Sequence, residues 1–240
     1  ADRLLAITIS AQNVPHAEIS RAQKVTSEFD VECRIVNVDI LEVPYFTENP
    51  PDRCYHCKRA LFAKIQEIGW AEGMDVLVDG TNADDVSAGD RPGILALQEL
   101  GVQSPFADFD VSKDEIREAA RFLGLDFAEN PSAACLASRI PYNEPITAEL
   151  LGRIEVAEEF LRDTFSLDQL RVRVHGGTLA RIEVPAPDIT QLADPANSAL
   201  ITQKFQDLGF LFVTLDLAGF RSGSLNAPSR STEENGAREN

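Results

Sequence analysis

Cys54 and Cys57 lie three positions apart in "NPPDRCYHCKRALF", where a proline- and asparagine-rich loop gives way to an apolar-periodic helix. One helical turn separates them, so both sulfurs can point to one side. A CxxC pair serves metals, redox dithiols or clusters. Neither zinc nor an iron–sulfur cluster is normally held by two thiolates alone. His56 would face away from a site shared by its helical neighbours. Cys33 sits inside a strand-like run and reads as a small buried hydrophobe. That leaves Cys135, in "SAACLASRIPY". Three thiolates form an incomplete set, and a 4Fe–4S cluster held by three cysteines keeps one iron open to an outside ligand. Alternatively Cys135 acts alone beside Arg139, whose charge favours the thiolate. Spacing equally allows three unrelated buried thiols.

Two other segments could do chemistry. "DGTNADD" follows a short apolar strand, at the carboxyl end where open α/β sheets gather ligands. There Gly80 permits close backbone approach, Thr81 and Asn82 offer hydrogen bonds, and Asp79, Asp84 and Asp85 suit a magnesium ion bound to phosphates. The same residues suit an Asx-rich turn that caps a helix. Arg91, in "DRPG", either meets a phosphate or pairs with a carboxylate. In "RVRVHGGTLARIEV", Arg171 and Arg173 share one strand face, as do Arg181 and Glu183 on the next strand. Paired arginines suit a phosphate or carboxylate ligand, with Glu183 to orient them. An ordinary sheet face with cross-strand ion pairs has the same pattern. His175, beside two glycines, reads as a turn residue.

The elements that must position these residues alternate. The pattern predicts strands over 4–10 and 32–38, a helix over 17–29, a helix from 54 to 70, and strands at 75–80 and around "VQSPFAD". A helix is expected near 94–100, and Ser112 with Glu115 makes a capping box for one ending near Leu123. Such alternation predicts an α/β fold with a doubly wound parallel sheet over residues 1–128. A long helix at 148–165, two close strands, more helix and the strand "FVTLDL" predict a smaller C-terminal α+β domain over 129–226. The polar stretch 227–240 reads as a disordered tail.

The totals narrow the function classes. The chain has 240 residues, 44% of them apolar and 25% charged, which is ordinary for a globular protein. No run reaches the ~20 apolar residues a membrane span needs. Four cysteines do not look like a disulfide framework, so a cytoplasmic location is expected. A net charge of −17 speaks against nucleic acid as partner, since phosphate backbones demand a basic face.

Taken together, "NPPDRCYHCKRALF", "VDGTNADD", "RPG", "SPFAD", "ACLASRIPY", the paired strands and "LDLAGFRSGSLN" resemble the LarE family of ATP-dependent sulfur transferases, a branch of the PP-loop pyrophosphatases. The resemblance implies a PP-loop, adenine nucleotide alpha-hydrolase-like fold. It implies adenylylation, with ATP and Mg2+, of a carboxylate of pyridinium-3,5-biscarboxylic acid mononucleotide, followed by replacement of AMP with sulfur. The product serves the nickel-pincer nucleotide cofactor of lactate racemase and related enzymes. Cys135 would supply or carry the sulfur: alone it is sacrificed, and with Cys54 and Cys57 it holds a 4Fe–4S cluster bearing an extra sulfide. Arg171, Arg173 and Glu183 would line the substrate pocket, with Glu158 a further candidate. Gly80, Thr81, Asp84, Arg91 and Arg139 would serve the nucleotide side, and a homo-oligomer, a hexamer by family habit, is implied. The family's Ser-Gly-Gly-x-Asp-Ser pyrophosphate loop is absent from these residues and is expected upstream of Ala1. Asn143 stands where a glycine is usual, and "HGGT" holds one extra residue. The competing expectations are a PP-loop sulfur transferase acting on tRNA and a non-catalytic nucleotide- or cluster-binding protein.

Overall fold

The computed structural model describes residues 3–87, 92–129, 134–221 and 225. Strand β1 (Leu5–Ser10), helix α1 (His16–Glu28) and strand β2 (Glu32–Asn37) form a parallel β-α-β unit, in register from Leu5 opposite Glu32 to Ser10 opposite Asn37. Parallel neighbours need such a crossover, and a helix supplies it. The chain then runs through Ile40 and Phe46, both fully buried, to helix α2 (Arg53–Ala71). Helices α3 (Ala83–Ser87), α4 (Pro92–Glu99), α5 (Pro105–Asp108) and α6 (Lys113–Phe122) follow. The Ser112–Glu115 capping box of α6 is present in both directions.

The expected strands at 75–80 and around residue 103 shrink to one parallel bridge, Val78 with Gln103. Asp79 N–H donates to the Gln103 carbonyl at 2.9 Å, and Gln103 N–H to the Leu77 carbonyl at 2.9 Å. Pro105 has no N–H to extend the ladder and instead opens α5. Val76 and Val78 stay 59% and 49% exposed, so the apolar run lacks the two-sided cover a buried strand requires.

Helix α7 (Ala148–Phe165) starts at Thr147, whose hydroxyl accepts from Leu150 N–H at 3.1 Å. Strands β3 (Arg171–His175), β4 (Leu179–Glu183) and β5 (Phe212–Leu215) form a second sheet, ordered β3-β4-β5, with helices α8 (Ala186–Ala193) and α9 (Pro195–Asp207) between the last two strands. The β3–β4 pair is antiparallel and β4–β5 parallel. Val172, Val174, Ala180 and Ile182 alternate onto one face and pack with Leu151, Ile154 and Leu161 of α7 and Phe205 of α9. The opposite face carries the charges. No helix among the described residues is long and apolar enough to cross a membrane.

Candidate functional site

Cys135 introduces a 3-10 turn, Leu136–Arg139, which four separate elements hold in place. Leu136 N–H donates at 2.8 Å to the carbonyl of Asn13, just past β1. From α2, Arg53 Nη1 donates to the Ala137 carbonyl at 3.1 Å. From β3, Arg173 Nη1 donates to the Ser138 carbonyl at 2.8 Å. Arg139 itself reaches α7, forming a forked pair with Glu158 at 2.9 and 2.8 Å. Its remaining Nη1 donates to the carbonyls of Ala134 and Cys135, at 2.6 and 3.0 Å. The guanidinium thus turns to the backbone and Glu158, not to the Cys135 thiol as a thiolate-stabilising role would have it.

The CxxC pair is brought to this turn by Arg53, the first residue of α2, and by Asn49 in the loop four residues before it, both buried. Asn49 takes a positive φ of 56°, conformational space that asparagine tolerates better than most residues. Its Nδ2 donates to the carbonyls of Pro141 and Glu144, at 2.7 and 3.0 Å, and its Oδ1 accepts from Arg53. Its own carbonyl accepts from Asn143 N–H at 2.8 Å. Asn143 also has a positive φ, 66°, which accounts for the interchange with glycine there. The glycine of "RPG" is explained too: a Cβ on Gly93 would come 2.9 Å from Lys58 Cδ and 3.5 Å from the Cys54 carbonyl, so α4 packs tightly on the start of α2.

All four cysteines are free thiols, and Cys57 and Cys135 pack against the main core. Burial pushes the Cys57 thiol up to about 12, and the nearby Cys135 and Cys54 push in the same direction. The three sulfurs therefore share one neighbourhood. Tyr142 lies in it as well, its hydroxyl held above the usual range by burial and by Cys54. Among the described residues no group of three His, Cys, Asp or Glu side chains is gathered at metal-binding spacing, so the thiols must draw closer to share one centre. The donor chemistry fits a soft metal or cluster: three unoxidised, partly buried thiols with a guanidinium alongside. Cys57 has a raised pKa, so its thiol is protonated below about 9 and ionises only as pH climbs toward about 12. In the metal-free protein at pH 8, iodoacetamide should alkylate Cys57 about a thousandfold more slowly than an ordinary thiol, because that much less thiolate is present. Peptide mapping of a labelling time course measures this.

The charged face of the second sheet adjoins the Cys135 turn through Arg173. Arg171 stands opposite Glu183, and Arg173 opposite Arg181. Glu183, fully buried, accepts from Arg173 Nε at 3.1 Å and pairs with Arg181 Nη2 at 3.1 Å. Arg181 also pairs with Asp216 at 3.3 Å. Glu158 accepts from Val172 N–H at 2.9 Å besides holding Arg139. Burial and the Arg139 charge bring Arg171 down to about 10. Burial likewise lowers Arg173, against the pull of Glu183. Arg171 Nη1 donates to the Leu170 carbonyl at 2.6 Å, and its guanidinium lies over Phe220.

The "DGTNADD" loop is knit by its own side chains. Asp79 accepts from Thr81 Oγ1 and Ser104 Oγ, both at 2.5 Å, and Asn82 Oδ1 accepts from Asp85 N–H at 3.2 Å. Asp84 Oδ2 accepts from Lys113 N–H at 2.6 Å, at the start of α6. Nothing stands within 4 Å of where a Gly80 Cβ would be, so its backbone faces open space. Arg91 lies outside the described residues. Sequence reasoning singled out neither Asn49 nor Arg53, although both stand in the same motif at helical spacing. It also missed Asn13, buried beside the Cys135 turn.

No protein-family model matches the chain. Uncharacterized protein slr1717 of Synechocystis sp. is 39% identical over 92% of this chain and 82% of its own length. Uncharacterized protein MJ0830 of Methanocaldococcus jannaschii is 36% identical over 78% of this chain and 71% of its own. Pyridinium-3,5-bisthiocarboxylic acid mononucleotide synthase of Lactiplantibacillus plantarum is 29% identical over 94% of this chain and 80% of its own. Among solved structures, the U34-tRNA thiolase NcsA from Methanococcus maripaludis with its [4Fe-4S] cluster aligns with 94% of this chain and 70% of its own. Its identity is 15% and its TM-score 0.39, too low to bear weight. The class is that of transferases, on a mixed α/β fold with parallel strands. The chain belongs to the LarE family.

Proposed function

We propose that the chain is an ATP-dependent, AMP-forming sulfur transferase that converts a carboxylate of pyridinium-3,5-biscarboxylic acid mononucleotide to a thiocarboxylate, for a nickel-pincer cofactor. A carboxylate is a poor electrophile. Its oxygen attacks the α-phosphorus of ATP, pyrophosphate leaves, and the resulting acyl adenylate carries a good leaving group. A sulfur nucleophile from the cysteine site then attacks the carbonyl carbon, forming the C–S bond as AMP departs. Cys54, Cys57 and Cys135 would hold a 4Fe–4S cluster, which would supply an iron site able to present transferable sulfur.

The observation that carries this reading is that Cys57 and Cys135, 78 positions apart in the sequence, pack against one core, with Cys54 one helical turn from Cys57. The arginines beside that site support it: Arg139 pairs with Glu158, Arg173 with Glu183 and Arg181 with Glu183 and Asp216, a row of oriented guanidiniums whose chemistry suits an anionic substrate. Gly80, Thr81 and Arg91 would approach the ATP phosphates. Magnesium would be held chiefly by those phosphates with Asp84 as its protein ligand, since Asp79 accepts two hydroxyl hydrogen bonds whereas Asp84 Oδ2 accepts one from the Lys113 N–H. In this reading residues 1–128 form a doubly wound nucleotide-binding domain and 129–226 a smaller substrate domain. The enzyme acts in the cytoplasm as a homo-oligomer, a hexamer in the family's manner.

Anaerobic reconstitution with iron and sulfide, followed by incubation with ATP, magnesium and substrate, tests the proposal. AMP and thiocarboxylate should form together over several turnovers. Absence of ATP-to-AMP conversion by the full-length protein with substrate present overturns the enzyme reading. One sulfur lost per chain without bound iron replaces the cluster route by sacrifice of Cys135.

A further inference from the structure

Arg53 is a buried cation with no acid beside it among the described residues. The residue is 3% exposed. Its contacts are the Asn49 amide oxygen, the Ala137 carbonyl at 3.1 Å, the Cys54 sulfur at 4.0 Å and the face of the Tyr142 ring at 5.6 Å. Among the described residues no carboxylate reaches it within ion-pair distance, whereas Arg139 and Arg173 each hold a buried glutamate. Neutral oxygens satisfy donors but do not cancel a charge, and a guanidinium cannot shed its proton to escape the low-dielectric interior. An arrangement that leaves a full positive charge uncompensated is unfavourable unless an anion arrives. The nearest groups able to become anionic are thiols: Cys54, in contact with Nη2, and Cys57, on which Arg53 acts as a neighbouring charge.

We infer that Arg53 is the built-in counter-cation of the three-cysteine site, neutralising the charge of a thiolate-bound iron–sulfur cluster and donating to the Cys54 sulfur. The inference rests on the cluster reading of the preceding section and adds a residue to it. Three thiolates outweigh the positive charge of the iron–sulfide core, and one-electron reduction adds to the excess. A cation in contact with a ligand sulfur therefore favours both retention of the cluster and its reduced form. The same guanidinium also ties α2 to the Cys135 turn through Ala137, so charge and position act together.

The test compares the reconstituted wild type with Arg53→Gln and Arg53→Lys. Iron and sulfide per chain, iron loss to a chelator, and the midpoint potential in a dithionite titration followed by electron paramagnetic resonance are measured for each. Arg53→Gln should hold iron about ten- to a hundredfold less tightly, the usual scale for removing a partner of a metal ligand. Its potential should move in the negative direction. Arg53→Lys keeps the charge without the fork and should restore the potential and most of the iron. A purely structural clamp would leave both variants equally defective, and that result overturns the inference. So does an Arg53→Gln protein with wild-type potential and retention. Should Arg53→Gln fail to fold, Arg53→Lys decides alone: wild-type potential supports the inference and loss of the cluster overturns it. A wild type that takes up no iron removes the cluster reading itself. Normal wild-type loading with an indifferent Arg53 removes only the counter-cation.

Discussion

Cys135→Ser leaves a folded protein that makes no thiocarboxylate, with product formation down by at least about a thousandfold, the scale seen when a nucleophile is removed. The fold survives because the turn is anchored by backbone groups of Leu136, Ala137 and Ser138 and by the Arg139 side chain, none of which needs the sulfur. Chemistry does not survive, because a serine hydroxyl neither binds iron as a thiolate does nor carries transferable sulfur. Mass spectrometry of the product, with circular dichroism as the folding control, measures both halves of the expectation. Cys54→Ser and Cys57→Ser add discrimination. In the cluster route each abolishes repeated turnover, whereas in the sacrificial route a single turnover persists. A Cys135→Ser protein with ordinary activity would sink the proposed role.

The largest loss of stability is expected from Glu158→Ala. Glu158 is 3% exposed and accepts three hydrogen bonds, two from Arg139 and one from Val172 N–H. Removing it strands the Arg139 guanidinium, itself 2% exposed, against α7 without an acid. Breaking one side of a buried pair costs about 3–5 kcal/mol. For a chain of this size that corresponds to roughly a 10 °C fall in Tm. Replacing both partners, Glu158→Leu with Arg139→Met, removes the stranded charge and should recover much of the loss. Urea denaturation of the two variants gives the comparison, and a Glu158→Ala loss under about 1 kcal/mol would contradict it. The double variant should still lack activity if Arg139 contacts the nucleotide.

Sequence patterning was most informative where local rules decide the structure. The α6 capping box, the start of α7 and the antiparallel pairing of 171–175 with 179–183 follow from caps and alternation alone. It failed at 75–80 and 102–108, where apolar residues suggested strands but Pro105 and sparse cover left one bridge. It also failed at Arg53. A charged residue in the first turn of a helix ordinarily faces water, and nothing local reveals that Asn49, Ala137 and Tyr142 enclose this one. Arg139 shows the same limit. Its position beside Cys135 was legible, but its direction is set by Glu158, 19 residues away. Partners distant in the chain determine where a long side chain points, and a single sequence does not list them.

The anchoring of the Cys135 turn by the loop after β1 and by α2, α7 and β3 has a consequence for biogenesis. A nascent chain emerging from the ribosome exposes Cys54 and Cys57 long before residue 135, and longer still before β3 can brace the third thiol. The three thiols can come together only once the tertiary structure is complete, so whatever chemistry needs all of them is deferred to the finished fold.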